Sequence, residues 1–234
     1  MTMRKYLLLF PLGLVVLLAA GVLLYTKVIA DDPPERLGFS TPTTTAGAPV
    51  TGAASSAPPG PIEGTWAVTA PSQAGYRAEE ILFGQTATAV GRTSAVTGAM
   101  TIQGTTVDKA SFTVDLTKVT SDSDQRDGQF QGRIMKTAQF PTSTFELAAP
   151  IELGTLSSDT TERTFPARGR LMLKGMTRDV AFELKARRNG STIEVKGAIP
   201  VTFADYGIDN PSGGPAKVGD DGELEVLLVF SKAP

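Results

Sequence analysis

The chain has 234 residues, of which 41% are hydrophobic, and 22 Lys and Arg against 24 Asp and Glu leave a formal net charge of -2. This composition is typical of a globular protein, and so small a net charge argues against a nucleic-acid partner, whose phosphates require a basic face. The sequence contains no Cys and no His, which excludes disulfides, thiolate nucleophiles, histidine-based hydrolase triads and histidine metal sites.

The N-terminal region has the pattern of a membrane anchor. Arg4 and Lys5 precede an apolar run over residues 6 to 29, and about 20 such residues cross a bilayer as a helix. Because positive residues favour the cytoplasmic side, the pattern predicts a cytoplasmic tail at 1 to 5, a transmembrane helix at 6 to 29 and an extracytoplasmic remainder. A cleaved signal peptide is the alternative, although the apolar run continues past Ala20 to Tyr25.

Residues 30 to 61 change character abruptly. They are rich in Pro, Thr, Ala, Ser and Gly and contain few large apolar side chains. Such a segment buries too little surface to offset the entropy lost on ordering, so the composition predicts a disordered linker between the membrane helix and a folded domain at 62 to 234.

The folded domain is predicted to be all-β and mainly antiparallel. Apolar and polar residues alternate in several runs, which is typical of strands with one buried face. Asn189-Gly190 favours a hairpin with a type I′ turn. The run from Leu224 to Phe230 is apolar enough to be buried on both faces.

One segment departs from the period of two. From Ser121 to Lys136 the apolar spacing is helical and an Asp/Ser cluster stands at the N-cap position, so a short helix is predicted there. Gly128 and Gly132 weaken it. The stretch that starts at Asp122 resembles the beginning of a calcium loop, but the bidentate Glu that closes such a loop is replaced by Arg133.

Three motifs around and after this helix resemble the YceI-like, polyisoprenoid-binding barrel family. They are Arg126-Asp127 at the helix start, the run Phe140-Pro141-Thr142-Ser143-Thr144-Phe145, and the block from Gly169 to Val180. The resemblance implies a lipocalin-like closed β-barrel of about eight strands with a short helix. Many family members carry His near the first strands, whereas Tyr76-Arg77 stand here, so a binding mode based on imidazole is not inherited.

The resemblance also implies a ligand, a polyisoprenoid or another long-chain amphiphile held in the barrel. Periodicity alone assigns the inward apolar residues to a packed core as readily as to a pocket lining. The candidate ligand-binding residues are Val114, Leu116, Phe130, Ile134, Phe145, Leu147, Leu171, Leu173, Phe182 and Ile199. Two interpretations of Arg126 and Asp127 stay open, a structural ion pair or a contact of Arg126 with an anionic headgroup.

The sequence thus favours a single-pass membrane protein that binds a lipid outside the cytoplasm. It is expected to be no enzyme and to need no cofactor or metal, because no set of residues with catalytic spacing stands out. The alternative is a filled barrel that binds a protein or a cell-wall polymer through the long Ala204 to Gly222 loop. Nothing in the sequence indicates an oligomeric state.

Overall fold

The computed structural model describes residues 33 to 39, 60 to 154, 160 to 214 and 216 to 233. The predicted cytoplasmic tail at 1 to 5, the predicted transmembrane helix at 6 to 29 and most of the predicted linker lie outside these residues. Within the described part of the chain, no helix is both long enough and apolar enough to span a membrane.

The described residues form eleven strands. Their bounds are β1 Gly64–Leu82, β2 Gln85–Thr93, β3 Val96–Gln103, β4 Thr106–Asp115, β5 Thr142–Leu147, β6 Ile151–Glu152, β7 Arg163–Leu173, β8 Met176–Asn189, β9 Thr192–Thr202, β10 Ala216–Val218 and β11 Asp221–Lys232. Two 3-10 turns, Leu116–Lys118 and Phe203–Tyr206, follow β4 and β9.

Eight of these strands close into a barrel. They follow the order β1, β11, β9, β8, β7, β5, β4 and β3, every neighbouring pair is antiparallel, and β3 pairs again with β1. The remaining strands add to this ring at β1 and β4. Closure leaves the eight strands without a free edge. The predicted antiparallel barrel of about eight strands is confirmed.

The core lies inside the barrel, as the alternation in the sequence predicts. In β7, for example, Phe165, Ala167, Leu171 and Leu173 are buried, while the residues between them are largely exposed. Strand β11 differs, because every residue from Glu225 to Phe230 is buried. The prediction that this strand is buried on both faces is therefore confirmed.

The hairpin between β8 and β9 is present, but its turn is not the predicted type I′ turn. Asn189 still belongs to the ladder and pairs with Thr192, so Gly190 and Ser191 form the loop. Of these residues Gly190 alone has a positive φ, 58°, whereas a type I′ turn needs positive φ at both central residues.

The predicted short helix is also present, as helix α1 at Asp124–Gln129 followed by a π-helical turn at Phe130–Ile134. Ser123 is its N-cap, and the Ser123 hydroxyl accepts a hydrogen bond from the backbone N–H of Arg126 at 3.4 Å. Tertiary contacts hold this segment, since the side chain of Gln131 donates to the carbonyl oxygen of Leu116 at 3.0 Å.

The strand register defines the two ends of the barrel. On β1 and β11, Tyr76 pairs with Leu224 near one end, and Trp66 pairs with Lys232 at the other. Tyr76 stacks on Phe130 of the helical segment, so we call its end the helix end. We call the opposite one the Trp66 end.

Candidate binding site inside the barrel

An apolar cavity of about 70 Å³ lies inside the barrel. Apart from Ser111 and Gly197, every residue that lines it has an apolar side chain. The lining includes Met100, which pairs with Trp66, and Phe230, which pairs with Val68. The cavity therefore occupies the half of the barrel nearer the Trp66 end.

Three phenylalanine rings line one wall of this cavity. The rings of Phe112 and Phe145 stack with centroids 5.3 Å apart, and Phe182 meets Phe145 edge-on at 5.7 Å. Both arrangements are favoured by the aromatic quadrupole. Phe145 is buried, whereas Phe112 and Phe182 are partly exposed although they point inward. The barrel interior is therefore open to solvent beside these two rings.

Two glycines make room for the rings. A Cβ at Gly169 would lie 2.3 Å from the Cζ atom of Phe145 and 2.6 Å from the carbonyl oxygen of Glu146, and a Cβ at Gly197 would lie 3.1 Å from Cε2 of Phe182. Both rings thus lie directly on backbone of a neighbouring strand. Without side chains at these two positions, the rings lie against the wall and the middle of the barrel stays partly empty.

Three of the ten sequence-predicted binding residues line the cavity, namely Phe145, Leu147 and Phe182. The other seven pack in the core cluster or against it without lining the cavity: Val114, Leu116, Phe130, Ile134, Leu171, Leu173 and Ile199. Val114 pairs with Ser143 next to the 3-10 turn, and Ile199 pairs with Leu224. These positions belong to the helix end, which side chains fill.

The remaining cavity residues were not singled out from the sequence. They come mainly from β3, β4, β8, β9 and β11 and include Met100, Phe112, Leu184, Val195, Val226 and Leu228. The alternation in β8 places Leu184 on the same face as Phe182, so that residue was within reach of sequence reasoning. In β11 apolar and polar residues do not alternate, because both faces are apolar, so the sequence does not show which side chains point inward.

The helix end is closed by an aromatic stack. The rings of Tyr76 and Phe130 have centroids 5.0 Å apart and lie within 11° of parallel. Burial raises the pKa of the Tyr76 phenol, and nearby Arg126 opposes the shift. Tyr76 is therefore neutral at physiological pH, which suits an apolar stack.

Arg126 and Asp127 do not pair with each other. Arg126 forms ion pairs with Glu80, at 3.3 Å, and with Asp122. The carboxylate of Asp127 accepts hydrogen bonds from the backbone N–H of Ser121 at 2.8 Å and from its hydroxyl at 2.6 Å. Arg126 thus links the helical segment to β1, and Asp127 closes the loop before the helix.

We expect the Arg126–Glu80 pair to stabilise the helix end. Glu80 is only 8% exposed, so Arg126→Ala would leave a buried carboxylate without its cation and is expected to cost about 1–3 kcal/mol. The measurement is a urea double-mutant cycle with Glu80→Gln, which should give a coupling energy of about 1 kcal/mol. No coupling, combined with weaker lipid binding by Arg126→Ala alone, would instead assign Arg126 to headgroup recognition.

An antiparallel eight-stranded barrel around an apolar cavity defines a class of protein, the small barrels that enclose either a packed core or one small ligand. Within that class, residues 66 to 230 match the family model described as the YceI-like domain. The chain belongs to this family. A search of curated proteins found no match.

Solved structures share the fold at low sequence identity. A polyisoprenoid-binding domain from Saccharophagus degradans, implicated in plant cell wall breakdown, is 14% identical with a TM-score of 0.58, and the match covers 73% of this chain and 99% of that one. BcnA from Burkholderia cenocepacia is 17% identical with a TM-score of 0.54, covering 69% and 98%. A mutant YceI protein from Campylobacter jejuni is 14% identical with a TM-score of 0.51, covering 62% and 85%.

Proposed function

We propose that this protein binds a polyisoprenoid or a similar long-chain amphiphile inside its barrel, without catalysing a reaction. The observation that carries the proposal is the apolar cavity beside the partly exposed rings of Phe112 and Phe182. Burying apolar ligand atoms there would contribute roughly 0.8 kcal/mol per methylene and would need no polar partner. The polyisoprenoid-binding domain from Saccharophagus degradans, with the same fold, supports the choice of ligand.

The cavity must widen to hold such a ligand. Its volume is about 70 Å³, whereas an apolar cavity of about 150 Å³ accommodates only a benzene molecule. Several side chains along the lining are partly exposed, among them Phe112, Leu147 and Phe182, and their exposed sides leave them room to move. We therefore propose that the ligand enters beside them and displaces their side chains.

We further propose that the barrel works outside the cytoplasm on a membrane tether, with residues 1 to 5 in the cytoplasm and 6 to 29 crossing the bilayer. Arg4 and Lys5 before the apolar run support this orientation. A tether suits an amphiphile that partitions into lipid, because it raises the concentration of the barrel near its ligand.

The test is native mass spectrometry of the full chain, expressed in a bacterium and released from micelles of a detergent that contains no isoprenoid. Organic extraction would then identify any bound molecule. The proposal predicts a one-to-one adduct with an isoprenoid mass. An apo mass that persists after incubation with isoprenoid extract would contradict it.

The small volume of the cavity favours one alternative, a filled barrel that binds a protein or a cell-wall polymer through its loops. The Ala204 to Gly222 loop is a suitable contact because its conformation is held from within. Asn210 donates to the carbonyl oxygens of Val218 and Gly219, each at 3.2 Å, and to the carboxylate of Asp220 at 2.9 Å. A persistent apo mass would move the search for function to this loop.

A further inference from the structure

A short segment ahead of the barrel lies on its outer wall. We call Glu35 to Phe39 the strap, and it belongs to the same compact unit as the barrel. The carbonyl oxygen of Glu35 accepts a hydrogen bond from Arg92. The next residue, Arg36, forms ion pairs with Glu223 and Glu225. These contacts join residues that are more than fifty positions apart in the sequence.

The first anchor of the strap is the carboxylate of Glu225. This side chain points away from the barrel core, since its neighbour Val226 points inward, yet Glu225 is only 3% exposed. Arg77 lies 3.1 Å from it, Arg92 3.4 Å and Arg36 3.2 Å. Two barrel arginines therefore fix the carboxylate in place, and the arginine of the strap completes the cluster.

The second anchor is a pair of cations around the ring of Phe39. The ammonium of Lys196 lies 4.1 Å from the ring centroid and the guanidinium of Arg187 lies 4.6 Å from it, both within the range of cation–π attraction. Arg187 is 8% exposed. The carboxylate of Glu194 fixes it by accepting hydrogen bonds from Nε of Arg187 at 2.8 Å and from Nη2 at 2.7 Å. The ring therefore meets a preformed site.

The spacing of the anchors fits an extended peptide. Glu225 on β11 and Arg187 on β8 pair with residues of β9 that are four positions apart, so their backbones are separated by roughly 16 Å, two strand spacings across the sheet and four residues along it. Three extended residues, from Arg36 to Phe39, span about 10–11 Å, and the long side chains of Arg36 and Arg187 cover the rest. The strap thus crosses the strands, with its arginine over one anchor and its aromatic ring over the other.

We propose that this outer wall is a peptide-docking surface for an arginine followed three residues later by an aromatic ring, and that its occupant is the chain's own strap. Docking ties the N-terminal half of the predicted linker to the barrel. One consequence rests on the proposed function. With the strap docked, the free linker between the predicted membrane helix and the barrel would be residues 30 to 34 alone, and release of the strap would lengthen it to residue 61.

Limited proteolysis of the full chain by trypsin tests the proposal. Arg36 is the only Lys or Arg between Lys27 and Arg77, so cleavage in this region reports on that residue alone. Trypsin must extract the Arg36 side chain from Glu223 and Glu225, and cleavage should be slow while the strap is docked. Phe39→Leu keeps an apolar side chain but removes the cation–π contact, and it is expected to raise the cleavage rate about tenfold. Phe39→Tyr keeps the aromatic ring and should leave the rate unchanged.

Matched controls separate docking from other effects. Peptides of residues 30 to 42 carrying each substitution give the intrinsic cleavage rates, and circular dichroism should show that the barrels of all three proteins remain fully folded at the digestion temperature. Equal normalised rates for wild type and Phe39→Leu would overturn the proposal. Protection that is lost on dilution would also overturn it, because the strap would then be docked on a second copy. The readout needs neither lipid nor membrane, so its failure is distinguishable from failure of lipid binding.

Discussion

Replacing Trp66 by alanine is expected to remove about 3–5 kcal/mol of unfolding free energy, the usual cost of truncating a buried Trp or Phe. Trp66 is 1% exposed, and its indole N–H donates to the carbonyl oxygen of Ile62 at 2.7 Å. Domains of this size are stable by only about 5–15 kcal/mol. The variant should therefore lose a large share of its stability and unfold at a markedly lower urea concentration than the wild type.

The position of Trp66 in the sheet explains the size of the effect. On β1 it pairs with Met100 of β3 and with Lys232 of β11, so it lies where the sheet closes on itself. A cavity at this point removes contacts from both sides of the closure, and the strands on either side cannot shift far to refill it.

Urea denaturation followed by far-UV circular dichroism is the measurement, because Trp66 is the only Trp and its fluorescence is lost in the variant. Trp66→Phe retains most of the buried surface and loses the indole hydrogen bond, so we expect it to cost less than half as much as the alanine variant. A loss below about 1 kcal/mol for Trp66→Ala would show that closure does not depend on this residue.

Much of the barrel could be predicted because its signals are local. Alternation across β7, the apolar run of β11 and the helical spacing around Phe130 each depend on neighbours in the sequence. The helix came out shorter than the 121 to 136 pattern and ended in a π-helical turn. Gly128 and Gly132 lie in this segment and lower its helix propensity, so tertiary contacts determine where it ends.

The candidate site was less predictable because it depends on which inward layer of the barrel is empty. The alternation around Leu171 and around Phe182 cannot decide this, since filled and unfilled layers are both apolar. Whether a layer is filled or empty depends on contacts between strands, such as the Phe145 ring lying over Gly169. The strap was missed for a related reason. Its composition signals disorder, whereas its anchors, on β11 and β8, are distant in the sequence.

The second large effect is expected from filling the cavity. Ala110 lines it from β4 and is partly exposed, so Ala110→Leu places an isopropyl group into a space of about 70 Å³ with little need for rearrangement. The free barrel should lose less than about 1 kcal/mol of stability, because the added group enters an existing space. A bound ligand would have to overpack the same space, which typically costs about 1–3 kcal/mol. Binding of a fluorescent isoprenoid probe should therefore be about 5- to 150-fold weaker.

The matched control is Ala181→Leu, which adds the same group to an exposed position on β8, next to Phe182 but on the outer face. Its affinity for the probe should equal that of the wild type. Titration of the three proteins, with thermal unfolding as the check on folding, decides the location of the ligand. If both variants bind like the wild type, the probe does not occupy the barrel interior. If Ala110→Leu alone loses affinity while its unfolding midpoint is kept, the cavity is the binding site, because both variants add the same group and only the one at Ala110 enters the cavity.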